Sequence, residues 1–165
     1  MGRRMGNPNE LQVVNIRMVK EPSLYSEDKI RCPEDAVRVI AKELATYDRE
    51  VFAVLNLKTN GQPISFNICS VGTLDASLVS PANTAKSGIL SNAAAQIAIH
   101  VHPSGSLEPS PEDKDVTKRL IAAADIIGIR LLDHIIVAGG TGEVFSFKNE
   151  GLMDQLTPRH KAWER

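Results

Sequence analysis

Apolar and polar residues repeat along this chain with two different periods, which divide it into predicted helices and strands. From Pro33 onward, apolar residues recur three and four positions apart, and this spacing predicts a helix with one buried face. That face contains Ala36, Val37, Ile40, Ala41 and Leu44. Proline in the first turn, with Glu34 and Asp35 at the positive end of the helix dipole, supports this start. Earlier in the chain, Leu11–Glu21 predicts a lead-in strand.

A pair of strands is predicted next. The segment Glu50–Lys58 is short and nearly all apolar, as in a strand that is covered on both faces. The turn residues Thr59–Gly61 follow it, and Ile64, Phe66 and Ile68 then alternate with polar positions. This pattern predicts a second strand that pairs with the first.

Helices and strands alternate through the second half of the chain. Pro81–Ala95 predicts a helix that leads into an apolar strand ending at His102. Another helical stripe follows and ends at Gly128; it comprises Val116, Leu120, Ala123 and Ile127. The segments 129–139 and 143–147 predict a hairpin around a glycine-rich turn. The order strand, strand, helix, strand, helix, strand, strand predicts an α/β sandwich, in which helices cover a mixed sheet.

Composition narrows the class of protein. The 165 residues and 18.0 kDa predict one domain, and a hydrophobic fraction of 42% is enough for a packed core. A formal net charge of −1 and a pI near 6.4 indicate no strong overall electrostatic attraction to nucleic acid or anionic lipid. No membrane helix and no secretory signal are expected. Cys32 and Cys69 form no metal-binding pattern, so a reduced, cytoplasmic protein is the expectation.

Two of the four histidines, His100 and His102, lie two residues apart at the end of an apolar run. Because residues i and i+2 of a strand point to the same face, both imidazoles are expected to project together, away from Val101. Two imidazoles on one face can bind one metal ion if a third ligand comes from elsewhere. An open fourth position would then mark a catalytic zinc site.

Asp113 is the best candidate for the third ligand, because it lies in the first turn of the next helix after a short loop. The same residue also fits a capping box, with Ser110 at the N-cap and Pro111 at the first helical position. Asp115 is a competing carboxylate deeper in the helix. Spacing alone therefore predicts a metal site while leaving an ordinary helix cap as the alternative.

The histidine pair, with Ser110 and Asp113 after it, resembles the JAMM signature of MPN/JAB domains. Three sequence segments are similar to the RadC-like branch of these domains: "HVHPSG…PSPEDKDVT" and, downstream of it, "GIRLLDHIIV" and "FSFKNEGL". The likeness covers residues 33–152. The resemblance implies a single MPN/JAB-like α/β domain of cytidine-deaminase-like architecture, with a mixed sheet sandwiched by helices. We expect an N-terminal extension at 1–30, partly strand, the domain at 31–152 and a C-terminal tail at 153–165.

The resemblance also implies roles for particular residues. The ligands of one zinc ion per chain would be His100, His102 and Asp113. Ser110 would support the developing oxyanion, and an early glutamate would act as general acid and base. Glu50 lies where RadC-like sequences have this residue, whereas its competitor Glu43 lies within the predicted first helix. Zinc would lower the pKa of water toward about 7 and polarise a carbonyl, which implies a metallopeptidase or isopeptidase acting on a peptide or protein-conjugate substrate.

The sequence also departs from the family pattern. Val101 stands between the histidines where RadC-like sequences usually have asparagine, but its side chain is expected to point off the metal face. No helix-hairpin-helix region is expected before Pro33, so nucleic acid is not the expected partner. His134 lies on a predicted interior strand, as a partner of the metal ligands or as a core histidine, and the structural role is favoured.

Two functions from different classes remain open on the sequence. The first is the zinc metallopeptidase or isopeptidase of the JAMM type. The alternative is an accessory or nucleic-acid-associated binding module in which the metal is structural and no amide bond is cut. Glu50 and Ser110 favour the enzyme, because a purely structural metal site needs neither residue.

Overall fold

The structure is a computed structural model that describes residues 18–19, 21, 23–24, 30–72 and 79–158. Within these residues it contains four helices and five strands in the order α1 (Pro33–Leu44), β1 (Val51–Leu57), β2 (Pro63–Val71), α2 (Pro81–Leu90), β3 (Ala95–His102), α3 (Pro111–Ile127), β4 (Arg130–Ala138), β5 (Val144–Ser146) and α4 (Leu152–Leu156). The strand expected at Leu11–Glu21 lies outside the described residues except at three positions, and none of these is in a strand.

The five strands form one mixed sheet in the order β2-β1-β3-β4-β5. Strands β3 and β4 run parallel, joined by α3 as the crossover, whereas the other neighbours are antiparallel. The predicted mixed sheet and the hairpin between β4 and β5 are therefore confirmed. Every residue of β1 is buried, as its nearly continuous apolar run predicts for a central strand covered on both faces.

Helices pack against both faces of this sheet. The predicted apolar face of α1 is entirely buried against one face, where it meets Val51, Ala53 and Leu55 of β1. The alternate β1 residues Phe52 and Val54 pack toward α3 on the other face. The predicted α/β class, with helices sandwiching a mixed sheet, is thus confirmed.

Two elements depart from the sequence prediction near α2 and α3. The helix predicted over Pro81–Ala95 ends at Leu90, because Asn92 adopts a left-handed conformation (φ 53°) and Ala95 already belongs to β3. The alanines that follow Asn92 continue the apolar pattern, so the sequence pattern did not indicate this turn. The last residue of the predicted α3 stripe, Ile127, is 40% exposed, and the buried residues of α3 end at Ile121. In β2, the predicted Ile68 is likewise exposed at the sheet edge.

Helix α4 was not predicted. It begins after Gly151, and Met153 is buried beside Phe147 and Ile136. Helix α4 therefore continues past residue 152, where the domain was expected to end. The expected domain boundaries stay a prediction. In the part of the chain that the structure describes, no helix combines the length and apolar character required to cross a membrane.

Candidate metal centre

The two histidines of β3 lie side by side on the face of the sheet that α3 covers. His100 and His102 are 5% and 9% exposed, and their ring centroids are 4.6 Å apart in an edge-to-face arrangement. Val101 points to the opposite face, into the core under α1. The two-residue spacing therefore brings both imidazoles together as predicted, at the end of the strand where the chain leaves the sheet.

Helix α3 begins with the capping box that the sequence predicts. The Ser110 hydroxyl accepts a hydrogen bond from the Asp113 backbone N–H at 3.1 Å, and Asp113 Oδ2 accepts from the Ser110 N–H at 2.8 Å. The hydroxyl of Ser110 also donates to Asp113 Oδ2 at 2.7 Å. Ser110 thus fixes the Asp113 side chain at the helix start, and its own proton is engaged there.

The carboxylate of Asp113 contacts both histidines. Its Oδ1 lies 2.7 Å from His100 Nδ1, and its Oδ2 lies 3.4 Å from His102 Nε2. Asp113 is only 4% exposed, whereas the competing Asp115 points to solvent. The structure therefore brings together the three residues predicted as ligands, and the helix cap and the histidine contacts use the same carboxylate.

Glu50 approaches His100 from the other side. It lies immediately before β1, and its Oε2 is 2.5 Å from His100 Nε2. Glu50, His100 and His102 each offer one ligand atom, and these atoms lie within 4.8 Å of one another, a geometry compatible with a metal ion. The competitor Glu43 is exposed on α1. His100 consequently has a carboxylate at each ring nitrogen, Asp113 at Nδ1 and Glu50 at Nε2.

The hydrogen bonds of His102 prepare its second nitrogen for a ligand role. Nδ1 lies 2.9 Å from the Ser106 carbonyl oxygen, which can only accept, so Nδ1 carries a proton, and in the neutral ring Nε2 keeps a lone pair. The His102 carbonyl accepts from Gly139 N at 2.8 Å. A Cβ at Gly139 would lie 2.7 Å from Pro103 Cα, so the turn between β4 and β5 packs tightly beneath the end of β3.

The contact between His100 and Asp113 shifts the pKa values of both residues. Burial lowers the pKa of His100, but hydrogen bonds to Asp113 and Glu50 outweigh this effect and raise the pKa above its usual value. Burial raises the pKa of Asp113, but its contacts with His100, His102 and Ser110 prevail and hold this pKa well below its usual range. Because a metal ligand must give up its proton, a proton on His100 competes with a metal ion for this site.

Two buried residues lie behind these groups, and the sequence pointed to only one of them. His134 on β4 is fully buried, and its Nδ1 contacts the Thr117 hydroxyl at 2.7 Å rather than any predicted ligand. Burial and the neighbouring His100 lower the pKa of His134 to about 3, so its ring is neutral at physiological pH. Thr117 was missed, although a threonine four residues after Asp113 shares its helix face.

A cleft with about 500 Å³ of space, part of it open to solvent, lies beside Glu50, His100 and Asp113. Its lining consists of three acidic residues, three apolar residues, one histidine and one serine: Glu50, Phe52, Val79, His100, Ser110, Glu112, Asp113 and Val116. Among these residues there is no lysine or arginine. The cleft thus places carboxylates and the His100 imidazole beside apolar side chains.

A mixed sheet between helices, with a histidine pair on β3 beside an acidic helix start, is the arrangement that the MPN/JAB resemblance implied. The family model of the RadC-like JAB domain matches residues 30–152, and the chain belongs to this family. The predicted family is therefore confirmed.

Curated relatives extend the likeness but carry names that state no activity. The chain is 45% identical over 124 residues to a UPF0758 protein of Desulforamulus reducens, covering 75% of this chain and 54% of that protein. It is 42% identical over 139 residues to a UPF0758 protein of Listeria innocua, covering 82% and 61%. A Clostridioides difficile UPF0758 protein is 46% identical over 120 residues, covering 73% and 50%. The chain thus spans about half to three fifths of these three relatives.

Proposed function

We propose that this chain is a zinc-dependent metallopeptidase or isopeptidase of the JAMM type, which hydrolyses amide bonds of a peptide or protein-conjugate substrate. One observation carries the proposal: two imidazoles and two carboxylates from β3, α3 and the start of β1 converge, and three of these groups, from Glu50, His100 and Asp113, line one cleft. A tetrahedral catalytic zinc site uses three protein ligands, so one carboxylate remains for proton transfer.

In the proposed site, the zinc ligands are His100, His102 and Asp113. Two imidazoles and one carboxylate are a ligand set that zinc accepts, and Asp113 already lies within 3.4 Å of a nitrogen on each histidine. Asp113 Oδ2 accepts from Ser110 and Oδ1 contacts His100, so an ion that binds this carboxylate would have to displace one of these contacts. When bound, zinc supplies a Lewis acid that activates water and polarises a carbonyl group.

Glu50 is the proposed general acid and base. It is half-buried at the cleft wall, and its carboxylate reaches the His100 ring from the side opposite Asp113. In this role Glu50 takes a proton from the attacking water and returns it to the departing amine. Phe52 and Val79 line the same wall and limit the access of other water to the reacting groups.

Ser110 is the proposed donor to the developing oxyanion. Its hydroxyl points into the cap, where it donates to Asp113 Oδ2. A serine has a single hydroxyl proton, so support of an oxyanion requires this hydroxyl to rotate away from Asp113. One such donor is worth roughly 3 to 4 kcal/mol to the transition state.

A specific contact favours the second candidate, an accessory or nucleic-acid-associated module with a structural metal. Ligand atoms of Glu50, His100 and His102 already lie within 4.8 Å of one another. If Glu50 is the third ligand, it no longer serves as a base, and Asp113 remains a helix cap. The two functions therefore differ in which carboxylate holds the metal.

Metal content of three purified variants tests this difference. We expect about one zinc per chain in the wild type and in Glu50→Gln, and a large loss in Asp113→Asn. Asp115→Asn is the matched control, since it removes an exposed carboxylate from the same helix. Loss of zinc from Glu50→Gln with retention in Asp113→Asn would support the structural-metal module instead.

A further inference from the structure

His134 and Thr117 form a buried contact beside the candidate metal centre, and the proposed function uses neither residue. Both side chains are fully buried. The Thr117 hydroxyl lies 2.6 Å from the Asp113 carbonyl oxygen and 2.7 Å from His134 Nδ1. A histidine on β4 is thereby connected through one hydroxyl to the first turn of α3.

The direction of these two hydrogen bonds follows from their atoms. A carbonyl oxygen only accepts, so Thr117 must donate its single hydroxyl proton to Asp113. The hydroxyl oxygen can then only accept from His134, which requires the proton of the neutral imidazole to sit on Nδ1. Nε2 is left with a bare lone pair, and within the described residues it is the one buried side-chain nitrogen or oxygen without a partner.

The ring of His134 cannot easily turn to a better arrangement. It stacks on Phe147 at a centroid distance of 4.7 Å and lies nearly parallel to the His100 ring at 6.2 Å. Phe52 meets it edge-on at 5.7 Å. Close packing on these sides holds Nδ1 toward Thr117.

Packing alone does not favour a histidine in this place. A buried polar atom without a partner costs roughly 1 to 3 kcal/mol, and an aromatic ring without nitrogen would fill similar space. The one satisfied nitrogen of His134 instead bonds Thr117 on α3, and Thr117 in turn bonds the backbone carbonyl of Asp113, a proposed ligand.

We propose that His134 is a positioning residue: as the Nδ1–H tautomer it anchors Thr117, and through Thr117 it holds the first turn of α3 so that the Asp113 carboxylate stays at His100. The inference rests on the proposed metal site, because Asp113 is a ligand there. Its central claim, the direction of the hydrogen bonds, can be measured without a metal.

Nitrogen NMR of the metal-free chain tests the hydrogen-bond direction. We expect His134 to show a protonated Nδ1 and a bare Nε2, and Thr117→Val to shift the resonance of His100 Nδ1 as its bond to Asp113 weakens. A His134 that is protonated on Nε2 would overturn the proposal, and so would an unchanged His100 signal in Thr117→Val. Both readouts decide the question even if the wild type binds no zinc, which would refute the proposed function separately.

Zinc affinity, measured by competition with a chromophoric chelator, tests the consequence. Thr117→Val and His134→Phe are each expected to bind zinc about tenfold more weakly, the usual cost of losing a partner of a metal ligand. Thr84→Val is the matched control, because Thr84 makes the same hydroxyl-to-carbonyl bond, 2.8 Å to Pro81, in the first turn of α2. Wild-type affinity in both site variants would overturn the positioning role and leave the metal site intact.

His134→Asn separates positioning from packing. Its amide nitrogen falls near the former Nδ1 and restores a donor to Thr117, whereas His134→Phe fills the space without a donor. We expect the asparagine variant to bind zinc more tightly than the phenylalanine variant, although the phenylalanine variant unfolds at the higher temperature. If zinc affinity instead follows melting temperature, His134 acts only through packing.

Discussion

Strands β1 and β3 carry two polar clusters on the same face, at opposite ends of their pairing. At one end Phe52 pairs with His100, beside Glu50 and Asp113; at the other end, Asn56 pairs with Gln96. The first cluster consists of carboxylates and imidazoles that share protons. The second consists of neutral amides and hydroxyls.

The neutral cluster is a closed network. Asn56 Nδ2 lies 3.0 Å from both the Ser65 and the Ser87 hydroxyl oxygens, and Gln96 Nε2 donates to Asn56 Oδ1 at 2.8 Å. Gln96 also donates to the Thr84 carbonyl, so the network attaches α2 to the sheet. The acidic cluster is different, because it contains two carboxylic acids, its central imidazole contacts both of them, and a neighbouring nitrogen is unpaired. We infer that one end is built for stability and the other for chemistry.

Glu50→Gln tests the acidic end and is expected to have the largest effect. We expect amide cleavage on a panel of peptide and isopeptide substrates to fall roughly 10²-fold or more, with zinc content and melting temperature retained, because a general base is lost. Glu43→Gln, an exposed glutamate on α1, is the control and should cleave at the wild-type rate. A Glu50→Gln protein as active as the wild type would remove Glu50 from the mechanism.

Asn56→Ala tests the neutral end. The substitution leaves Ser87 and Gln96 without their buried partner, and we expect the free energy of unfolding to fall by about 2 kcal/mol with zinc content unchanged. Urea denaturation of the metal-free protein measures this loss. Asn67→Ala, an exposed asparagine on β2, is expected to cost less than about 0.5 kcal/mol. Loss of zinc in Asn56→Ala would mean that the two ends are not independent.

The pH dependence of stability and of zinc affinity also distinguishes the acidic end from the neutral end, and we expect a smaller effect than in the two variants above. The pKa of His100 is raised in the folded state, so its stabilising contribution is complete below the unfolded value of about 6.5 and is lost as pH rises through the folded value. Below the folded-state pKa of His100, zinc must displace a proton from this ring. The affinity of the protein for zinc is therefore expected to rise about tenfold per pH unit in this range. Zinc titrations between about pH 6 and 9 measure this slope. A flat profile would show that His100 carries no competing proton.

Much of this molecule follows from local patterns in the sequence. Because strand residues alternate between faces, His100 and His102 could be assigned to one face from spacing alone, and the capping box of Ser110 and Asp113 follows from four consecutive residues. The buried face of α1 follows from its period in the same way.

Contacts between distant segments could not be obtained in this way. The bond between Gln96 and Asn56 joins residues 40 positions apart, and the contact of Glu50 with His100 joins residues 50 positions apart. Both depend on the register of β1 against β3, which no local pattern specifies. Helix α4 was missed for another reason: it is only five residues long, too short to show a period.

The separation of Glu50 from the proposed ligands along the chain has a consequence for folding. His100, His102 and Asp113 come from one continuous stretch, which brings them together by closing a short loop, whereas Glu50 arrives only when β1 pairs with β3. Contacts of long sequence separation form late when the entropy of loop closure dominates. If the proposed function holds, ion binding would therefore depend on one local segment of the chain, whereas hydrolysis would also require the long-range pairing of β1 with β3.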